Sequence, residues 1–252
     1  MLTVLTQIGG IIYIISLLFF RENTSKYNIK RLVFFFVFYG FTTFLIVPNI
    51  TPLLGRVKID DNQNLKAHHI FTKICNRNYT TVQMKTVLQE VSTKLKVEFK
   101  NIKLIYLDAN FPFFDGFPLL PHLSHNDGKK IDLSFIYEDT NGHLTNLKPA
   151  NSGYGVFEEP LQNELHQTNI CKQKGYWQYD FTKYITFGAN INLKLSTKAT
   201  KRLIEILSEN KAVHKIFIEP HLKSRFQVQS SKIRFHGCKA VRHDDHIHFQ
   251  IL

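Results

Sequence analysis

The sequence predicts an α+β domain carried behind an N-terminal pair of membrane-crossing helices. Three observations carry that expectation. Two uncharged apolar runs occupy residues 2–20 and 32–54. Two amphipathic helical patterns follow, at 80–99 and 197–210. Around them lie short apolar or alternating stretches at 101–109, 130–138, 213–220 and 245–252, with no regular β–α–β rhythm. Helices packed on a mostly antiparallel sheet is the arrangement such a mixture favours.

Each apolar run is long enough to cross a hydrocarbon core of about 30 Å as a helix. The joining segment 21–31 carries Arg21, Lys26, Lys30 and Arg31 against Glu22 alone. Positive loops stay in the cytoplasm. The expected topology is therefore a two-pass hairpin over 1–54 in the cytoplasmic membrane, with a cytoplasmic turn at 21–31. The remainder is expected on the periplasmic or extracellular side. The first run lacks the basic start and small-residue cleavage site of a secretory signal. Residues 55–79 read as a linker and 80–252 as the folded domain.

The net charge is +12, and segment 21–31 contributes +3, leaving +9 on residues 55–252. A basic exported domain suits anionic envelope polymer or lipid headgroups, and export argues against nucleic acid. Cys75, Cys171 and Cys238 allow one disulfide and one thiol in an oxidising compartment. Their spacing fits no zinc ribbon or redox motif, and no pairing is assigned.

In the first helix Val87, Leu88, Val91 and Leu95 share a face, with Thr80 or Thr81 as the cap. A short apolar strand at 101–109 and a loop rich in Phe, Pro and Gly at 110–121 come next. Over 130–138, Ile131, Leu133, Phe135 and Tyr137 alternate with Asp132 and Ser134, as in a strand with one apolar face. Residues 139–180 are irregular, and a loop of that length in a compact domain is more often functional than not. It ends in Tyr176, Trp177 and Tyr179, which read either as packing or as one wall of a peptide groove. The second helix buries Ala199, Leu203, Ile206 and Leu207 and is capped by Ser196 or Thr197. The strand 213–220 is ended by Pro220.

The chain's last strand turns Ile247, Phe249 and Ile251 to the core. Period-two alternation then sets His246 and His248 side by side on the other face. Upstream, residues 120–135 hold His122, His125 and Asp132, with a turn at Gly128 between the second histidine and the acid. One carboxylate and two imidazoles on two polar faces make a three-ligand set with an open position. That is the count of a catalytic zinc site, not a structural one. An isolated buried Asp is costly, so Asp132 makes a poor core residue.

Two motifs in this order resemble the penicillin-insensitive murein endopeptidases, within the superfamily of lysostaphin-type enzymes, D-alanyl-D-alanine metallopeptidases and hedgehog signalling domains. Ser124, His125, Gly128 and Asp132 match Ser-His-x-x-Gly-x-x-x-Asp, with His122 at the family's extra histidine. His243, Asp244, His246 and His248 match His-Asp-x-His-x-His. The resemblance spans about 80–252 and implies a hedgehog-like sheet with packed helices. It implies Zn²⁺ on His125, Asp132 and His248, with His122 an outer group or alternative ligand. His246 would be the general base and acid, and His243 would steady the oxyanion or orient His246. Asp244 or Asp245 would hold an imidazole tautomer, with Asp245 the better candidate for a solvated residue. The implied activity is hydrolysis of peptide cross-links in peptidoglycan. A D,D-carboxypeptidase or an inactive envelope-binding module is the alternative. Three cysteines, Lys129 and Lys130, the 139–180 segment and the paired apolar runs all depart from the family pattern.

Overall fold

A computed structural model describes residues 1–21, 25–120, 122–190 and 192–252. The fold is mixed α+β, and the chain divides into two compact units. The first comprises Met1–Ile59, Ile70–Lys85 and Ala109–Lys130. The second comprises Asp60–His69, Thr86–Asp108 and Ile131–Leu252.

Among the described residues one helix, Ser25–Leu54 in the first unit, is long and apolar enough to cross a membrane, and only 11% of its most apolar window is buried. It begins inside the expected 21–31 turn, so Ser25–Arg31 is helical; residues 22–24 lie outside the described ones. The run 2–20 is not one helix. It is split into Leu2–Thr6 and Gly9–Phe19 at Gln7, whose φ is 66°. The break coincides with two side-chain bonds, one local and one from far along the chain. Thr6 Oγ1 accepts the Gly9 N–H at 2.9 Å, and the Gln7 side chain accepts the Phe113 N–H at 2.8 Å. A polar side chain in an apolar run has been given a backbone partner in preference to continuing the helix. Gly9–Phe19 still packs on the long helix, with Tyr13 on Phe35 and Phe19 on Phe34.

Residues 55–79 are not a linker. They supply Val57–Lys58, which pairs with Tyr79–Thr80 in the first unit, and Leu65–Ala67, which joins the main sheet of the second. That sheet has six strands in the order Ile233–Arg234, Val213–Phe217, His246–Ile251, Lys130–Ser134, Leu104–Asp108, Leu65–Ala67. It is mixed: its two edge strands run parallel to their neighbours. Antiparallel pairs set His248 opposite Phe217 and Asp132 opposite Asp108.

The helices form where the periodicity predicts them, at Val82–Glu98 and Thr197–Glu209. Val87, Leu88, Val91, Leu95, Leu203, Ile206 and Leu207 are buried. Thr81 caps the first, accepting the Met84 N–H at 3.3 Å. Ser196 precedes the second, but its hydroxyl is drawn to Glu138 instead. The expected 130–138 strand is two: Lys130–Ser134 in the main sheet and Tyr137–Glu138 in a three-stranded one. Alternation continues through both, so the change of sheet leaves no mark on the hydrophobic pattern.

Candidate metal centre

His246–Ile251 and Lys130–Ser134 are neighbours in the sheet, which places Asp132 beside the C-terminal imidazoles. His248 Nδ1 lies 2.8 Å from Asp132 Oδ1, and His246 Nε2 lies 3.8 Å from the same oxygen. With its proton on Nδ1, His248 donates a hydrogen bond. With its proton on Nε2, nitrogen and oxygen are two lone-pair donors turned to one space. Period-two alternation predicts that only the Ile247 face of this strand is buried. In the structure both faces are: His246 and His248 are as enclosed as Ile247 and Phe249.

Within the second unit Asp132 and His248 offer ligand atoms to one space, and within the first His122 and His125 stand together; His and Asp groups of this kind among the described residues could hold a metal ion. All are buried, and the donor chemistry of imidazole nitrogen and carboxylate oxygen suits a divalent transition ion. His125 is held for that task. Its Nδ1 is 2.8 Å from the Ala109 carbonyl, which accepts the ring proton and leaves Nε2 as the lone-pair nitrogen. The His122 ring lies 5.3 Å from that of His125.

Further groups orient this cluster. Tyr154 donates its hydroxyl to Asp132 Oδ2 at 2.9 Å. Its position depends on the glycines beside it, both at positive φ. A Cβ on Gly155 would stand 2.1 Å from the Thr182 carbonyl oxygen, and one on Gly153 would stand 2.5 Å from Leu107 Cδ2. Asp245 accepts from His246 Nδ1 and from the Gly155 N–H. The expectation that Asp245 is solvated is therefore wrong: it is 2% exposed and fixes the His246 tautomer. Asp244, by contrast, binds Arg242, with His221 Nε2 3.7 Å from its carboxylate. His243 is buried, with its ring 4.8 Å from His246. Burial first, and then the neighbouring His246, His248 and His236, hold it well below the usual imidazole range, so it is neutral. The backbone N–H of His243 donates to Glu219, which also accepts from Tyr179.

Three residues of the site carried no usable signal in the sequence. Tyr154 and Glu219 sit outside any spaced motif. His236 lies 4.2 Å from the Phe217 ring and 5.1 Å from His243, and is placed by the Cys171–Cys238 disulfide two residues on. Trp177 is 73% exposed and so is not a packing residue, whereas Tyr179 is fully buried. Tyr154→Phe should weaken metal retention about 10–100-fold, as loss of an outer partner does, with no change in fold. Titration against a chromophoric chelator measures it. No family model and no curated protein matches the chain, so the chemistry of these side chains is the guide to what it does.

Proposed function

We propose that the protein is a membrane-anchored zinc peptidase that hydrolyses peptide cross-links in peptidoglycan. His125, Asp132 and His248 would hold the ion on a hedgehog and D-alanyl-D-alanine-peptidase-like sheet. The 1–54 region would be a two-pass anchor with the remainder on the outer side of the cytoplasmic membrane. One observation carries the reading: the buried Asp132 carboxylate lies 2.8 Å from His248 and 3.8 Å from His246, side chains brought together from distant parts of the chain. The order of those motifs supports the choice of family, and the apolar Ser25–Leu54 helix supports the anchor.

A bound Zn²⁺ supplies Lewis acidity for the scissile carbonyl and lowers the pKa of water to about 7. The chain's own residues do the rest. Asp245 keeps the proton of His246 on Nδ1, so Nε2, which faces Asp132, accepts a proton from water and returns it to the leaving amine. Neutral His243 beside it adds no charge that would hinder that uptake, and can donate to a developing oxyanion. Tyr154 fixes the carboxylate of Asp132.

His246→Ala should lower kcat by about 10²–10⁴-fold, the worth of a positioned general base, while metal content stays stoichiometric. The whole reading is tested with the full chain in detergent on purified peptidoglycan, with and without chelator and with zinc restored. Activity should vanish and return, with new amines at cross-link bonds. Release of terminal residues alone would assign a carboxypeptidase. A chain that binds no zinc and cuts nothing would leave an inactive binding module.

A further inference from the structure

Four imidazoles gather within the second unit, and the sequence motifs account for three of them. His243, His246 and His248 are 3%, 1% and 3% exposed. The fourth, His236, is only half-buried, so it stands at the rim of the group, where a substrate can reach it. Its ring centre lies 5.1 Å from that of His243 and 5.7 Å from that of His248.

His236 is held from both sides. Before it, the edge strand Ile233–Arg234 pairs in parallel with Val213–Phe217, in a register that sets Arg234 opposite Phe217. The His236 ring stacks on Phe217 at 4.2 Å, with 20° between the planes. Phe217 is also the strand partner of His248, and the two rings lie 5.5 Å apart. One aromatic side chain therefore supports both imidazoles. After His236, Gly237 turns the chain at a φ of 95°, and Cys238 is cross-linked to Cys171. A half-exposed side chain fixed by a strand, a ring stack and a disulfide has lost its freedom before any ligand arrives. Such preorganisation serves binding; a solvated histidine has no use for it.

The orientation of the ring narrows its task. Imidazole lone pairs lie in the plane of the ring. The planes of His236 and His248 are 28° apart, and nearly parallel planes do not converge on one ion. His236 is thus poorly set to share a metal with His248. It is well set to meet a molecule lying against the cluster from the exposed side. In either neutral tautomer an imidazole offers one N–H donor and one acceptor, which complements the carbonyl and N–H of a peptide backbone.

We propose that His236 is a substrate-binding residue, which hydrogen-bonds the backbone of the cross-link peptide at the exposed rim of the imidazole cluster and is held there by the Cys171–Cys238 disulfide. This rests on reading the cluster as a peptidase site. The test measures kcat and KM for the full chain in detergent on soluble cross-linked muropeptides, with zinc content by elemental analysis. His236→Ala should raise KM about 2–12-fold, the worth of one hydrogen bond. Zinc content and kcat should change little, as when binding common to ground and transition states is lost. His236→Gln keeps a donor and an acceptor and should recover part of the loss. His236→Phe keeps the stack on Phe217 but no polar atom, and should not. Cys238→Ser should also raise KM, and adding His236→Ala to it should cost less than that change does alone. An unchanged KM in His236→Ala, with the parent active, overturns the proposal and leaves the peptidase reading standing. Full recovery by His236→Phe would show that the ring only packs, and loss of zinc in His236→Ala would make it a support of the metal; either result also overturns it. A parent chain that cuts no peptide overturns the peptidase reading, and the role of His236 falls with it.

Discussion

On the zinc-peptidase reading proposed here, Asp132→Ala is expected to remove bound zinc and peptidase activity together. Asp132 is fully buried on a strand next to the one that carries His246 and His248. Its two oxygens serve different partners: Oδ1 meets His248, and Oδ2 accepts from Tyr154. Losing an outer partner of a metal ligand costs about 10–100-fold in affinity, so losing the ligand itself should exceed that. Asp132→Asn separates charge from shape. It keeps the volume and an acceptor for Tyr154 but not the anion. If zinc is bound through the carboxylate, Asn should also fail to retain it on dialysis, as measured by elemental analysis of the purified full chain. Full zinc content in Asp132→Ala would remove this residue from the ligand set.

Arg242→Ala is expected to produce the largest loss of stability, about 3–5 kcal/mol, the cost of leaving one member of a buried ion pair alone. Arg242 is 2% exposed and Asp244 fully buried. The guanidinium donates Nε to Asp244 at 2.7 Å and two further bonds to Glu159 at 3.0 Å, and its carbon lies 4.0 Å from the Phe157 ring centre. Burial pushes the Asp244 carboxyl up, and Arg242 is the chief group opposing it. Without the arginine, Asp244 must either protonate or remain an unpaired buried anion. The Glu159 bonds add little, because that carboxylate is 64% exposed. Arg242→Lys should recover only part of the loss, since an ammonium lacks the planar fork. Denaturant unfolding of chelator-treated protein would measure both, with metal loss excluded as a cause. An Arg242→Ala transition within about 0.5 kcal/mol of the parent would show that the pair is dispensable.

Arg242 also shows why parts of this site escape the sequence. It stands one residue before His243, where it reads as an ordinary basic flank. Part of its enclosure comes from Phe157, more than eighty positions earlier, in a segment whose irregular pattern says nothing about where it returns. Tyr154 is similar. The glycines around it announce a turn, but only the fold shows that the turn ends on Asp132. The membrane run misled for a related reason. Hydropathy counts Gln7 as one polar residue among nineteen, whereas in the structure it serves the Phe113 N–H and breaks the helix.

What the sequence determined by itself is local and periodic. Alternation set His246 and His248 on one strand face, and the turn at Gly128 marked the approach to the Lys130–Ser134 strand that carries Asp132. The 3.6-residue repeat fixed both amphipathic helices to within two residues. Only the tertiary structure decided that the two histidine-bearing segments become sheet neighbours, that the imidazole face is enclosed, and that Cys171 pairs with Cys238. The reason is physical. Backbone geometry repeats over two to four residues and leaves its period in the order of side chains, whereas strand adjacency and burial come from contacts between residues far apart, which leave no period to read.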